Sequence, residues 1–442
     1  MEREPNYIVF GLHAYQPLRF PFLKTLAHLN PSPDGKDWTQ IIQQECYLPL
    51  LESGVFDRST FDFYGSLRAQ LNLSPEKLLE LREVMAKRGV GDPFLHPILP
   101  DLNQRDKRVL IRAGRADFIR ECGQKPNWFW APESALDTST LVEVKRAGYL
   151  GVVCAPEQLV RNDGKEVDNQ PVRVVLPGGD YILAFPFDRP VSSQIGFGDK
   201  SCADQFVQNV ILPRLNNLPD SNLLVTWTDA ETFGHHYQYG NLFAAYLLFN
   251  SLPNNNIHPI SLDMALDLSQ QQAGSESLTD ASLIERTAWS CSHGNLLRWN
   301  GECGCAGNNG SWKAPFVNAL RKLNREVDRV MDDHLPGWEE GLTADFRRFF
   351  DGTGEPKNPQ EALLWAKASS LTALTSCGLF FDNPHTSGRL NILFACQATV
   401  ALEEAGLRTE AEDILNDFDS SLTDIYDLEG RPLSKVLELF RN

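Results

Sequence analysis

The feature that most constrains this chain is an alternation that runs from residue 7 to about residue 262. Short stretches rich in Val, Ile, Leu, Phe and Trp are separated by segments with helical periodicity. The apolar stretches predict strands at 7–11, 60–63, 128–133, 150–156, 181–185, 223–227 and 259–262. Helices are expected at 39–47, 75–88, 101–122, 137–147, 202–216 and 241–249. Two of them carry clear punctuation: Ser74 with Pro75 opens one that Gly89 stops, and Asp137 opens another that Gly148 stops. Strand, helix, strand at this spacing is the rhythm of parallel pairing. Seven or so strands favour a barrel over an open, doubly wound sheet.

Beyond the alternation, residues 268–278 read as a polar linker, and 289–312 hold a cluster of Trp, Cys and Gly. From Pro315 onward the periodicity is helical, with Val317, Leu320, Leu323, Val327, Val330 and Met331 on one stripe. The expected organisation is therefore a barrel over 1–270, a Trp/Cys-rich connection over 271–314 and a helical bundle over 315–442.

The chain has 442 residues and a net charge of −17, which argues against a groove for a phosphate backbone. No stretch approaches the ~18 apolar residues of a membrane span. The first residues lack a secretory pattern, and nine cysteines is an odd number that suits reduced thiols. A cytoplasmic protein is expected. No Gly-x-Gly-x-x-Gly or phosphate loop opens a helix, so no nucleotide cofactor is expected.

Polar residues collect where the apolar stretches end, the place where side chains of such folds meet ligands. His13, Tyr15 and Gln16 follow the first strand, and His96 lies on a Pro-rich loop. Glu133 ends Trp128-Phe129-Trp130-Ala131-Pro132-Glu133; Asp229, Glu231, His235 and His236 follow residues 223–227. Two carboxylates from different strand ends, among indole rings, are the minimum equipment of a glycosidase, ~5 to 5.5 Å apart in a retaining one. Glu133 and Asp229 are the pair. Only one of Asp229 and Glu231 can face the cleft, leaving the other as support.

Trp128, Trp130, Trp227, Trp289 and Trp299 would offer flat faces to sugar rings, or else fill the core. Residues 18–44 are expected to cross the mouth as a long excursion. His235 and His236 could join His13 and His96 on a metal, but adjacent His rarely aim at one ion. Cys291, His293, Cys303 and Cys305 have the residue types of a metal site without Cys-x2-Cys spacing, so buried thiols packing a Gly-rich loop are expected there, and no metal.

At these residues the chain resembles the family 57 glycoside hydrolases, mostly intracellular enzymes acting on α-glucans. His13-Ala14-Tyr15-Gln16-Pro17 resembles the family's first region, with Tyr15 where a second His is usual. His96-Pro97-Ile98-Leu99-Pro100 resembles the second, Trp130-Ala131-Pro132-Glu133 the third and Asp229-Ala230-Glu231-Thr232-Phe233-Gly234 the fourth; the fifth falls near 289–299.

A branch of the family matches more closely, through Asp37-Trp38, Glu45-Cys46-Tyr47, the Cys291 to Cys305 segment and Thr375-Ser376-Cys377-Gly378. The resemblance implies an α/β fold, an incomplete (β/α)7 barrel followed by a C-terminal α-helical bundle, with no cofactor. It implies retention through a covalent glycosyl-enzyme, with Glu133 as nucleophile, Asp229 as acid/base and an oligo- or polysaccharide substrate. Amylase, glucanotransferase and branching activities all fit. A metal-dependent polysaccharide deacetylase and a non-catalytic glycan-binding relative are the alternatives.

Overall fold

The structure is a computed structural model. It describes residues 5–19, 23, 26, 32, 34–218, 222–273, 278–306, 310–350, 355–384, 388–426, 430 and 432–434. Most of the central part of the 18–44 excursion lies outside these. The strands are β1 (Asn6–Ala14), β2 (Thr60–Phe63), β3 (Gly89–Val90), β4 (Trp128–Phe129), β5 (Gly151–Cys154), β6 (Leu159–Arg161), β7 (Val172–Val175), β8 (Tyr181–Pro186), β9 (Leu223–Asp229), β10 (Ile257–Pro259) and β11 (Asp280–Leu283).

A parallel path runs β9-β1-β2-β3, and β4-β5-β8 continues it. Gly91 joins the two runs by hydrogen bonds to Trp128 and Trp130 (both 2.9 Å). Between β8 and β9 the backbone link is Asp188 N–H to Val225 O at 2.7 Å. Further along that edge side chains take over: Trp227 N–H donates to Ser192 Oγ (3.0 Å) and Val225 N–H to Asn169 Oδ1 (2.9 Å). The edge of β9 is thus satisfied without a full strand partner.

β1 has both faces buried over most of its length, as parallel strands do when covered on both sides. Gly11 on β1 is required by packing. A Cβ there would lie 2.1 Å from the Trp227 ring.

Helices follow the expected starts and stops. Asp137 accepts the Thr140 amide (2.7 Å) ahead of Thr138–Ala147, and Gly148 ends that helix at φ 92. Two expectations need correction. The polar stretch 268–278 is not a linker from its start, because Leu262–Ala273 is a helix that buries Leu262 and Ala265. Past it, β11 returns to the sheet and pairs with β6 and β7, three strands too short to read from sequence.

The C-terminal helices are Lys313–His334, Trp338–Ala344, Pro359–Thr372, Arg389–Glu404 and Arg408–Leu422. The expected stripe of Lys313–His334 is buried throughout. These helices share one apolar core with Phe94, Leu95, Ile98, Val109 and Leu110. Buried charges stitch the same boundary. Lys367 meets Asp106 (2.7 Å) and Asp328 (2.6 Å), and Asp117 of Gln104–Cys122 is ringed by Arg68, Arg120 and Arg347. Burial works against the Asp117 carboxylate, but Arg68, Arg347 and Arg120 outweigh it and hold it well below the usual range.

Candidate active site

Register assembles the first part of the site. His13 on β1 is aligned with Asp62 on β2 and with Asp229 on β9, so three polar side chains stand at one level on adjacent strands. His13 Nδ1 lies 2.7 Å from Asp62 Oδ2. Burial pulls the His13 pKa down, but Asp62, with help from Asp229 and Glu231, raises it to about 10. His13 is therefore an imidazolium and both its ring nitrogens donate.

A hydrogen-bond chain of fixed direction follows. His13 Nε2–H donates to His96 Nε2 at 3.3 Å, and burial followed by the charge of His13 keeps His96 neutral, well below the usual range. The remaining proton of His96 must then sit on Nδ1, 2.7 Å from Ser376 Oγ, and the Ser376 hydroxyl donates to Glu133 Oε1 at 2.8 Å. A salt-bridge pair at one end thus orients the carboxylate at the other.

Glu133 is delivered by a strained turn. Glu133 and Ser134 are both left-handed, at φ 58 and φ 49, a conformation that costs roughly 1–2 kcal/mol per L-residue. Gln158 holds the turn. Its Nε2 donates to Ser134 O (2.7 Å), and its Oε1 accepts from Ser134 Oγ and the Ala155 amide (both 2.9 Å). Trp289 N–H donates to Glu133 O at 3.0 Å. Burial raises the Glu133 pKa; hydroxyls of Ser290 and Ser376 and the charge of His13 oppose it, while Asp229 adds to it.

Asp229 continues a regular strand and is half-buried. Burial raises its pKa to about 6, opposed by His13 and reinforced by Glu231. Glu231 is tied down: Tyr47 Oη, Tyr15 N–H (3.2 Å) and Gln16 Nε2 (3.5 Å) all donate to its Oε1. Of the two acids after β9, Asp229 thus keeps the freer carboxylate. Gly234 lets the chain carrying Glu45 press on this loop; a Cβ on it would lie 2.0 Å from Glu45 O.

The aromatic expectations divide. Trp130, Trp227 and Trp289 form one group: Trp130 stacks on Trp227 at 5.1 Å and meets Trp289 edge-on at 5.9 Å, but Trp130 and Trp227 are fully buried and, contrary to expectation, offer no face to a sugar. Trp289 is half-buried and so keeps a face for a ligand. Tyr15 stacks on His96 at 3.9 Å. Trp128 is a correction: it is core, packed on Phe185, with its indole N–H on Asp263 (2.8 Å). Trp299 is another, fully buried against Phe380 in the core of the C-terminal helices.

His235 and His236 do not join His13. His235 bonds Glu45 (2.7 Å), while His236 sits beside Asp229 with its pKa lowered by burial and then by His235. Among the described residues, the His/Cys/Asp/Glu group whose ligand atoms converge is Cys291, His293, Cys303 and Cys305. The expected buried thiols are found only in part: Cys291 is buried, but Cys305 is exposed and Cys303 half-buried.

Sequence reading missed Asp62, Ser376, Tyr47 and Gln158. An acid inside the buried stretch Thr60-Phe61-Asp62-Phe63 was a signal for the first. Tyr47 and Ser376 lie in segments that resemble the family branch but had no role assigned, and nothing local marks Gln158.

Residues 11–271 match the profile of glycosyl hydrolase family 57. The chain belongs to that family. No curated protein sequence matches it. The exo-type maltose-forming amylase of Pyrococcus sp. ST04 superposes with TM-score 0.72 at 16% identity, covering 99% of this chain and 88% of the amylase. The family 57 branching enzyme of Pyrococcus horikoshii gives 0.66 at 14% identity over 94% of each chain. The 4-α-glucanotransferase of Thermococcus litoralis gives 0.54 at 16% identity, over 90% of this chain and 60% of that one. The protein is accordingly an α/β protein of glycosyl hydrolase family 57, a family of carbohydrate-active enzymes. Among the described residues no helix is long and apolar enough to cross a membrane.

Proposed function

We propose that this family 57 enzyme is a retaining glycosidase or transglycosylase of α-linked glucan, with Glu133 as nucleophile and Asp229 as general acid/base. One observation carries the assignment of roles: burial pushes both carboxyls up, but at Glu133 the hydroxyls of Ser290 and Ser376 oppose the push, whereas at Asp229 burial carries it to about 6. Hydrogen bonds to a carboxylate favour the ionised form a nucleophile needs. A carboxyl with a raised pKa holds the proton that a leaving group needs.

In the first step Glu133 Oε attacks the anomeric carbon while Asp229 protonates the glycosidic oxygen, which leaves with its sugar. In the second, Asp229 takes a proton from water or from a sugar hydroxyl, and that oxygen displaces Glu133. The His13 imidazolium steadies Asp229 once it has lost its proton. His13, His96, Tyr15 and Gln16 line the site, with His235 and His236 at its rim; Trp289 is the platform for a sugar face, and Trp130 supports it from beneath.

The same proposal takes the ring of parallel strands as an incomplete (β/α)7 barrel over 1–270, open along the β8–β9 seam, and residues 315–442 as a helical bundle that supplies Ser376. A cytoplasmic setting belongs to it as well, and so does the lack of a nucleic-acid partner, which the net charge of −17 supports.

The test is the product profile from maltooligosaccharides and amylose. Wild type should release shorter or rearranged glucans, Glu133→Gln none, and Glu133→Ala with azide should yield a glycosyl azide. Acetate released from an acetylated glycan, with the α-glucans untouched, would instead establish the deacetylase reading.

A further inference from the structure

Cys291, His293, Cys303 and Cys305 have no part in the reaction, yet their ligand atoms all lie within 4.8 Å of one another. Cys291 Sγ is 3.3 Å from Cys303 Sγ and 3.4 Å from Cys305 Sγ. His293 Nδ1 is 2.8, 3.3 and 3.8 Å from Cys305, Cys303 and Cys291. A tetrahedral zinc ion, with Zn–S of about 2.3 Å and Zn–N of about 2.0 Å, sets its sulfurs about 3.8 Å apart and its nitrogen about 3.5 Å from each sulfur. The group therefore needs an expansion of only a few tenths of an ångström at most of these contacts to hold one ion.

We propose that Cys291, His293, Cys303 and Cys305 form a Cys3His site for a single structural Zn2+ that pins the wall of the active site. Apolar packing does not explain the convergence, because His293 and Cys305 are exposed. The ligands come as two Cys-x-His/Cys-x-Cys pairs. A turn closed by Gly294 N–H on Cys291 O (2.9 Å), with Gly294 at φ 66, presents the first pair. Ser292 Oγ, 3.3 Å from Cys305 Sγ, supplies a hydrogen bond to that thiolate from outside the ligand set.

Four protein ligands fill a zinc tetrahedron and leave no place for a catalytic water. The ion would therefore act on shape. Binding releases the three thiol protons to solvent and ties 291–305 to itself. The same loop carries Trp289, whose amide holds Glu133 O, and Ser290, whose hydroxyl reaches the Glu133 carboxylate.

The test is the metal content of the full chain, purified and reconstituted with Zn2+ in reducing buffer, with Co2+ as an optical probe. Wild type, Cys122→Ser and Cys202→Ser should retain about one equivalent after desalting, and the Cys303→Ser/Cys305→Ser double variant under about a fifth of one. The Co2+ form should show tetrahedral d–d bands together with thiolate charge transfer. Amide hydrogen exchange over 287–305 should quicken on metal removal. A wild-type chain that keeps no zinc, a Co2+ spectrum without thiolate bands, or a Cys291–Cys303 disulfide in protein never exposed to oxidant would overturn the site. Exchange unchanged by the metal would overturn its structural role. If the double variant does not fold, the wild-type stoichiometry and the Co2+ spectrum still decide. None of these readouts depends on glycosidase activity.

Discussion

Asp229 and Glu133, the proposed acid/base and nucleophile, are positioned by opposite routes. Asp229 is the last residue of a seven-residue strand whose register with β1 places it beside His13. Glu133 follows a two-residue strand and stands on a left-handed turn held by Gln158 and Trp289, and its carboxylate is bonded by Ser290 and Ser376. A group on a regular strand inherits its position from the backbone ladder. A group on a strained turn must be positioned by side chains from elsewhere, here from as far along the chain as Ser376. The strand end of Asp229 should therefore tolerate loss of single neighbours better than the turn of Glu133.

The largest effect expected is on the carboxylates themselves. Glu133→Gln should lower kcat/KM by at least about 10³-fold, since it removes the covalent route. Asp229→Asn should cost about 10²–10⁴-fold, with a smaller loss for substrates bearing a good leaving group such as a nitrophenol. Equal losses on both substrates would break the assignment of Asp229 as the acid.

The pH profile sharpens the same comparison. Asp229 must hold its proton for the first step, so kcat/KM should fall as pH rises through about 6, and Asp229→Asn should abolish that limb. His13 carries a stability counterpart. Its folded pKa, about 10, lies above the ordinary 6.5, so its contribution is fully present below pH 6.5 and is lost as pH rises towards 10. Wild type should lose more unfolding free energy across that window than His13→Asn, measured by urea denaturation.

Next in size is Gln158→Ala, which leaves the Glu133–Ser134 turn without its clamp. A drop in kcat of about tenfold or more is expected, with KM nearly unchanged and a stability loss of about 1–3 kcal/mol. Gly11→Ala is the counterpart on the strand side. Its Cβ must displace Trp227 or the Thr226 carbonyl, so it should destabilise by about 1–3 kcal/mol or more and shift the denaturation midpoint, with activity falling as the folded fraction falls.

The smallest effect expected is that of Ser376→Ala. It removes one of two hydroxyls on Glu133, should lower kcat by a few-fold, and should raise the pKa of the acid limb; a shift there is not what a purely structural role would produce. An acid limb unmoved by Ser376→Ala would separate the His13–His96 chain from Glu133.

Much of the α/β part of the chain could be read before the structure, because local signals agreed with the global answer. Ser74, Asp137, Gly89 and Gly148 mark helix ends by backbone chemistry alone, and the apolar runs at 7–10 and 223–227 are too continuous for a surface element. The helix over 262–273 was hidden because its end is polar and its buried face small. β6, β7 and β11 are three to four residues long, and β11 meets partners over a hundred residues away. Trp128 and Trp130 look alike in sequence and both are buried, yet Trp128 packs on Phe185 and Trp130 on Trp227 and Trp289.

By itself, the sequence determined the parallel α/β plan, the family, and the short polar clusters that hold His13, His96, Glu133 and Asp229. Each of these depends on neighbours within a few residues or on a pattern of period 2 or 3.6. Only the tertiary structure decided which polar residues meet. The bonds from Asp62 to His13 and from Ser376 to Glu133, and the hold of Tyr47 on Glu231, span 49, 243 and 184 residues. The four-fold convergence at Cys291 joins two short pairs whose spacing follows no common zinc pattern. Contacts of that kind are fixed by strand register and by how the C-terminal helices pack against the rest of the chain, and no local propensity encodes either.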